Sequence, residues 1–168
     1  MVTIGDHVQI MKIPKILAPA GDFASLNAAI KAGCDSVFFG IGDFNMRASA
    51  SHNFTPADLG EITALCHQHK VKTHLTLNTL MYNSDLERMR KTVDLARENK
   101  IDALIVADMA TLIYAQEKGL SVHLSTQLSV SNIEGVKFYA QFCDLIVLAR
   151  ELTLEQIGEI IAEIKAQN

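Results

Sequence analysis

The segment HLSTQLSVSN, residues 123–132, begins as an apolar, β-rich run and ends in neutral hydrogen-bonding side chains. At the two-residue period of a strand, His123, Ser125 and Gln127 fall on one side, as do His74, Thr76 and Asn78 in VKTHLTLN. Polar groups close the other apolar runs as well. Asp22 follows KILAPAG; Asp43, Asn45 and Arg47 follow DSVFFG; Asp108 ends DALIVAD; Arg150 ends DLIVLAR and Glu151 comes next. These residues are candidates for holding a substrate. Arginine at the C-terminal end of a strand is a natural clamp for a carboxylate or another anion, a role open to Arg47 and Arg150. For Asp22 and Asp108, each just ahead of a helix, the alternative is simple capping. For His74 and His123, deeper in their strands, it is a core histidine with its hydrogen bonds satisfied.

Other chemistries find less support. Ser125 lacks the GxSxG elbow of a hydrolase, and His123 is its neighbour on the same strand face rather than an evident base. No catalytic residue is assigned. His67 and His69 are two apart on a helix, so they diverge and make a poor metal pair. Cys34, Cys66 and Cys143 are widely spaced without a CxxC, which fits free thiols in a reducing compartment, not a metal or cluster site.

The elements that must position these residues repeat one pattern: a short apolar run, a polar turn, then a segment of helical period. Thr55 and Pro56 start one helix. Ser84 with Glu87, and Thr153 with Gln156, read as capping boxes for two others. Six such units can be counted, and strands alternating with helices argue for a parallel α/β sheet. A dinucleotide fold would carry a glycine-rich phosphate turn, but GIGDFN has no third glycine and runs into a long loop. A TIM-type (β/α) barrel is the better reading, incomplete because eight units and about 250 residues make a whole one. In a barrel the strand C-termini and the loops after them form the active face, which is where the polar residues gather.

The chain has 168 residues, a net charge of -4 and 49% hydrophobic residues, the composition of an ordinary globular domain. No apolar run approaches the ~20 residues of a membrane helix, and the N-terminus lacks the pattern of a signal peptide. A cytoplasmic location without membrane association is expected. Residues 1–12 form an N-terminal extension with apolar residues at Val2, Ile4, Val8 and Ile10, suited to a hairpin across the barrel bottom; residues 13–168 form the partial barrel.

Five ordered blocks between Ile13 and Gln156 are similar to the N-terminal half of peptidase family U32, the collagenase-like proteins: LAPAGDFASLNAAIKAG, FGIGDFNMRASASHNFT, TLNTLMYNSDL, HLSTQLSVSN and VLARELTLEQI. The wording NMRA and LAREL resembles the branch linked to hydroxylation of tRNA and rRNA bases more than the branch assisting ubiquinone synthesis. That resemblance implies oxygen-independent hydroxylation with an iron-sulfur cluster, prephenate as hydroxyl donor and RNA as substrate. The family's older label is protease, in some members collagenase. Asp22, Asn45, Arg47, Asn78, Gln127, Asn132, Arg150 and Glu151 match the family's blocks. The family's cluster cysteines follow the matched region, so a cluster is expected only in a full-length member. This chain is expected to hold no cofactor and to be inactive alone, as a piece of a longer protein or a short member.

Three functions therefore compete: the substrate-binding half of an RNA hydroxylase, a peptidase, and a non-catalytic binding or assembly module. The missing units leave the first and sixth strands as free edges, and an exposed edge is a template for pairing with another chain. A homodimer through the open side is expected.

Overall fold

A parallel pair of strands cannot be joined by a tight turn, so each strand here is followed by a helix that returns the chain to the same end of the sheet. The computed structural model describes residues 14–46 and 53–166. The strands are β1 (Leu17–Pro19), β2 (Ser36–Phe39), β3 (Lys72–Leu77), β4 (Ala103–Val106), β5 (Ser121–Leu124) and β6 (Leu145–Ile146). The helices are α1 (Phe23–Lys31), α2 (Leu59–Gln68), α3 (Leu86–Glu98), α4 (Met109–Glu117), α5 (Ile133–Tyr139) and α6 (Leu154–Ala166). The strands lie side by side in chain order, all parallel. The sheet is a curled, incomplete TIM-type barrel of six βα units. The expected hairpin of residues 1–12 lies outside the described residues, as does Arg47.

Register is fixed at the N-terminal ends by three aspartates. Asp35 donates its N–H to the carbonyl of Ile16 and receives the Ile16 N–H on its own carboxylate, at 2.7 Å. Asp102 makes the same exchange with Thr73, its carboxylate accepting the Thr73 N–H at 2.8 Å, and Asp144 does so with Val122 at 2.9 Å. The first amide of a strand otherwise has no ladder partner at that end. The Asp102 carboxylate also receives the Thr73 hydroxyl at 2.8 Å and lies 2.9 Å from His67 Nε2.

With that register, alternate residues divide cleanly. Val37, Phe39, Leu75, Leu77, Leu104, Val106, Val122 and Leu124 face the helices and are buried in the main core. Phe38, His74, Thr76, Ile105, His123 and Leu145 face the concave interior. A smaller cluster of Val130, Val136 and Ile160 seats α6 against Ile146 and Leu148 beside β6.

Several local starts differ from expectation. A one-turn 3-10 segment, Pro56–Asp58, precedes α2, and Asp58 accepts the N–H and hydroxyl of Thr55, each at 2.7 Å. Before α3 the box is shifted: Asp85, not Glu87, accepts an N–H, that of Tyr82 at 3.1 Å, while Glu87 pairs with Lys91. The tighter turn places the acceptor nearer the chain entry and leaves Glu87 on the outer face. The Thr153–Gln156 box is present in both directions.

The open side is a groove of about 580 Å³ between the Leu17 side of the sheet and α6, walled by Ile157, Ile160, Ile161 and Ile164. An apolar groove beside a strand edge that no other described strand pairs favours self-association. Sedimentation at rising concentration should show a dimer; a strict monomer at the highest concentration would mean that the groove is tolerated in water.

Candidate functional site

Leu77, Val106 and Leu124 stand in one register row, so the next residues of these strands, Asn78, Ala107 and Ser125, are brought level at the C-terminal end. Ala107 is small, and over it the Asn78 Nδ2 donates to Ser125 Oγ at 3.2 Å. Asn78 Oδ1 accepts the N–H of Met46 at 3.2 Å, tying in the loop that follows β2. One amide thus holds together three segments far apart in sequence.

The other singled-out residues divide by role. Asn45 is buried and donates to the carbonyls of Gly42, at 3.0 Å, and Ile41, at 3.3 Å. A Cβ at Gly40 would stand 2.3 Å from Asn45 Cγ, so Gly40 is needed for close approach, not for a phosphate turn. Asp22 caps α1, accepting the Ser25 N–H at 2.7 Å. Asp108 caps α4 through the Ala110 N–H at 2.9 Å and also receives the Met81 N–H at 3.4 Å. Asn132 caps α5, accepting from Gly135 at 2.9 Å.

Gln127 does not continue the strand row: β5 ends at Leu124 and Gln127 lies exposed on the 3-10 turn Thr126–Leu128. Arg150 and Glu151 occupy an exposed turn beyond β6, and among the described residues no ion pair or hydrogen bond joins their side chains to Asn78 or Ser125. The site that forms is therefore centred on Asn78 and Ser125, with Asp108 alongside through the loop after β3.

Below this rim, the rings of His74 and His123 meet edge to face, with centroids 4.7 Å apart. Burial, and then the neighbouring His123, push the His74 pKa down to about 4. Burial lowers His123 as well, against the pull of Asp144. Both rings are neutral at physiological pH. His74, only 3% exposed, leaves Nδ1 without a partner among the described residues, and Thr76 leaves its hydroxyl so. The interior floor thus offers unspent hydrogen-bonding capacity and two neutral imidazoles.

Nucleophilic chemistry finds no activated group among the described residues. The Ser125 oxygen receives the Asn78 amide and the Gln127 N–H at 3.3 Å, two donors and, among the described residues, no base. Burial pushes the thiols of Cys66 and Cys143 up to about 11 and raises that of Cys34. Thiols held protonated on α2, before β2 and before β6 do not suit an iron-sulfur cluster, which takes thiolates converging on one point. Among the described residues, no group of three His, Cys, Asp or Glu side chains could hold a metal, and no helix is long and apolar enough to cross a membrane.

Fold and site together define an incomplete (β/α) barrel with a polar rim of Asn78 and Ser125 and with Asp108 alongside. The model of peptidase family U32 matches residues 21–167, and the chain belongs to that family. It is 48% identical over 154 residues to a collagenase of Porphyromonas gingivalis, covering 92% of this chain and 37% of that protein. It is 34% identical over 147 residues to a 23S rRNA 5-hydroxycytidine synthase of Escherichia coli, covering 87% of this chain and 22% of that one. The chain spans well under half the length of these relatives. A solved U32 peptidase shares the fold with a TM-score of 0.73 at 16% identity, over 93% of this chain and 68% of that one.

The depressed His74 pKa sets a pH dependence. The unfolded chain takes up a proton near pH 6.5 that the folded chain refuses until about pH 4, so stability is full above 6.5 and falls through that window. The loss should approach roughly 3 kcal/mol, at 1.36 kcal/mol per unit. Denaturant unfolding at several pH values should show it, and His74→Phe should flatten the slope there. Equal slopes in both proteins would contradict a neutral, buried His74.

Proposed function

We propose that the chain supplies the substrate-binding half of a U32 protein that hydroxylates RNA bases. The observation that carries this reading is the rim itself: Asn78 and Ser125 are neutral donors and acceptors, and among the described residues no base is bonded to the hydroxyl. Such a set reads the edge of a neutral heterocycle and does not cleave an amide. Prephenate as hydroxyl donor and the iron-sulfur cluster belong, on this reading, to the whole protein. A dicarboxylate donor would call for a cation, and Arg150, exposed on the turn after β6, has a guanidinium available for that contact.

The peptidase reading has its own support in the 48% identity to a collagenase. Mass spectrometry of rRNA and tRNA nucleosides from the native organism separates the two. Disrupting the gene should remove a hydroxylated pyrimidine, and complementation by the whole gene should restore it. Unchanged nucleosides, together with gelatin cleavage by the purified protein that Ser125→Ala abolishes, would replace this reading with the hydrolytic one.

A further inference from the structure

Apolar side chains are unusually exposed where the barrel's active rim meets solvent. Leu80 is 75% exposed, Tyr82 68% and Met46 61%. Two of them lie on the short loop that leaves Asn78, and the third has its N–H on the Asn78 amide oxygen. The loop between Leu80 and Tyr82 is also anchored: Met81 donates its N–H to Asp108 and Tyr82 its own to Asp85. An anchored backbone presenting free apolar side chains is a contact surface, because solvent-exposed apolar clusters are otherwise avoided.

Resting on the RNA reading above, we propose that Tyr82, flanked by Leu80 and Met46, is a stacking platform that receives an unpaired nucleobase at the mouth of the Asn78–Ser125 site. A nucleobase has the two properties that this region matches. Its faces are flat and apolar, and its edge carries neutral donors and acceptors for a rim of amides and hydroxyls. Enzymes that act on a base must first take it out of its stack, and aromatic side chains commonly repay that unstacking.

Among the described residues, the charges nearby favour the base over the phosphate backbone. Arg88, the nearest cation on α3, is paired with Asp43 at 2.9 Å and with Asp85 at 3.5 Å, and it lies over the Phe44 ring. The chain as a whole carries a net charge of -4. Counterion release should contribute little, so RNA affinity should depend only weakly on salt.

The test uses the full chain and a short, mixed-sequence, single-stranded RNA carrying a fluorescent end label. Anisotropy should report binding with a shallow salt dependence, weakened about tenfold by Tyr82→Ala, within the range for losing one base–aromatic stack. The exposed ring makes an unfolded variant unexpected, and an unchanged melting temperature checks this. A second signature comes from the absence of tryptophan: the chain has three tyrosines, of which Tyr114 is bonded to Asp94 and Tyr139 packs on Phe138. RNA should quench tyrosine emission in the wild type. In Tyr82→Phe most of the quenching should disappear while affinity stays close to that of wild type.

If the wild-type chain binds no RNA, the RNA reading fails for this chain and the platform with it. If the wild type binds and Tyr82→Ala binds equally well, the platform alone is overturned. Binding of a gelatin peptide in place of RNA, lost in Tyr82→Ala, would assign the rim to a protein ligand and overturn the proposal.

Discussion

The geometry of this half-barrel depends on strand register, and register depends on a reciprocal exchange of two hydrogen bonds at the N-terminal end of three strand pairs. Asp35, Asp102 and Asp144 each give an N–H to one residue of the preceding strand and accept that residue's N–H on the carboxylate. A slip of one residue would turn every apolar side chain of a strand from the helix layer to the concave face. It would also leave strand amides without an acceptor, at about 1–3 kcal/mol for each buried group. Asp102 locks β3 to β4, the ladder between β4 and β5 carries that register on, and Asn78, Ala107 and Ser125 arrive together at the rim.

Much of this was legible in the sequence. The alternation of apolar runs with helical segments prescribes parallel strands joined by crossover helices, and the six units are present in the expected order. The Thr153–Gln156 box could be read because both partners belong to one local motif. Shared orientation of Asn78 and Ser125 follows from a period of two, but the row stops where β5 ends, and Gln127 turns away on a 3-10 segment. Periodicity does not announce its own end when the next residues are hydroxyls that can bond their own backbone, as Ser125 does with the Gln127 N–H.

The remainder was illegible for a different reason. Asn45 folds back against Gly40, a contact that spacing alone does not reveal. The aspartates of CDSV, IDAL and CDLI look like ordinary turn residues, although each reaches the strand before it. Asp22, Asp108 and Asn132 illustrate the opposite case, in which a position matching a family block or closing an apolar run also has a capping role.

The ends of β3 and β5 meet over β4, where Asn78 and Ser125 make one hydrogen-bonding site. A double-mutant cycle on stability, with Asn78→Ala, Ser125→Ala and both together, tests this most directly. The contact between Asn78 Nδ2 and Ser125 Oγ predicts a coupling of about 0.5–1.5 kcal/mol, since either single change already removes the bond. Strict additivity, within about 0.3 kcal/mol, would show that the two side chains do not meet and would contradict the site.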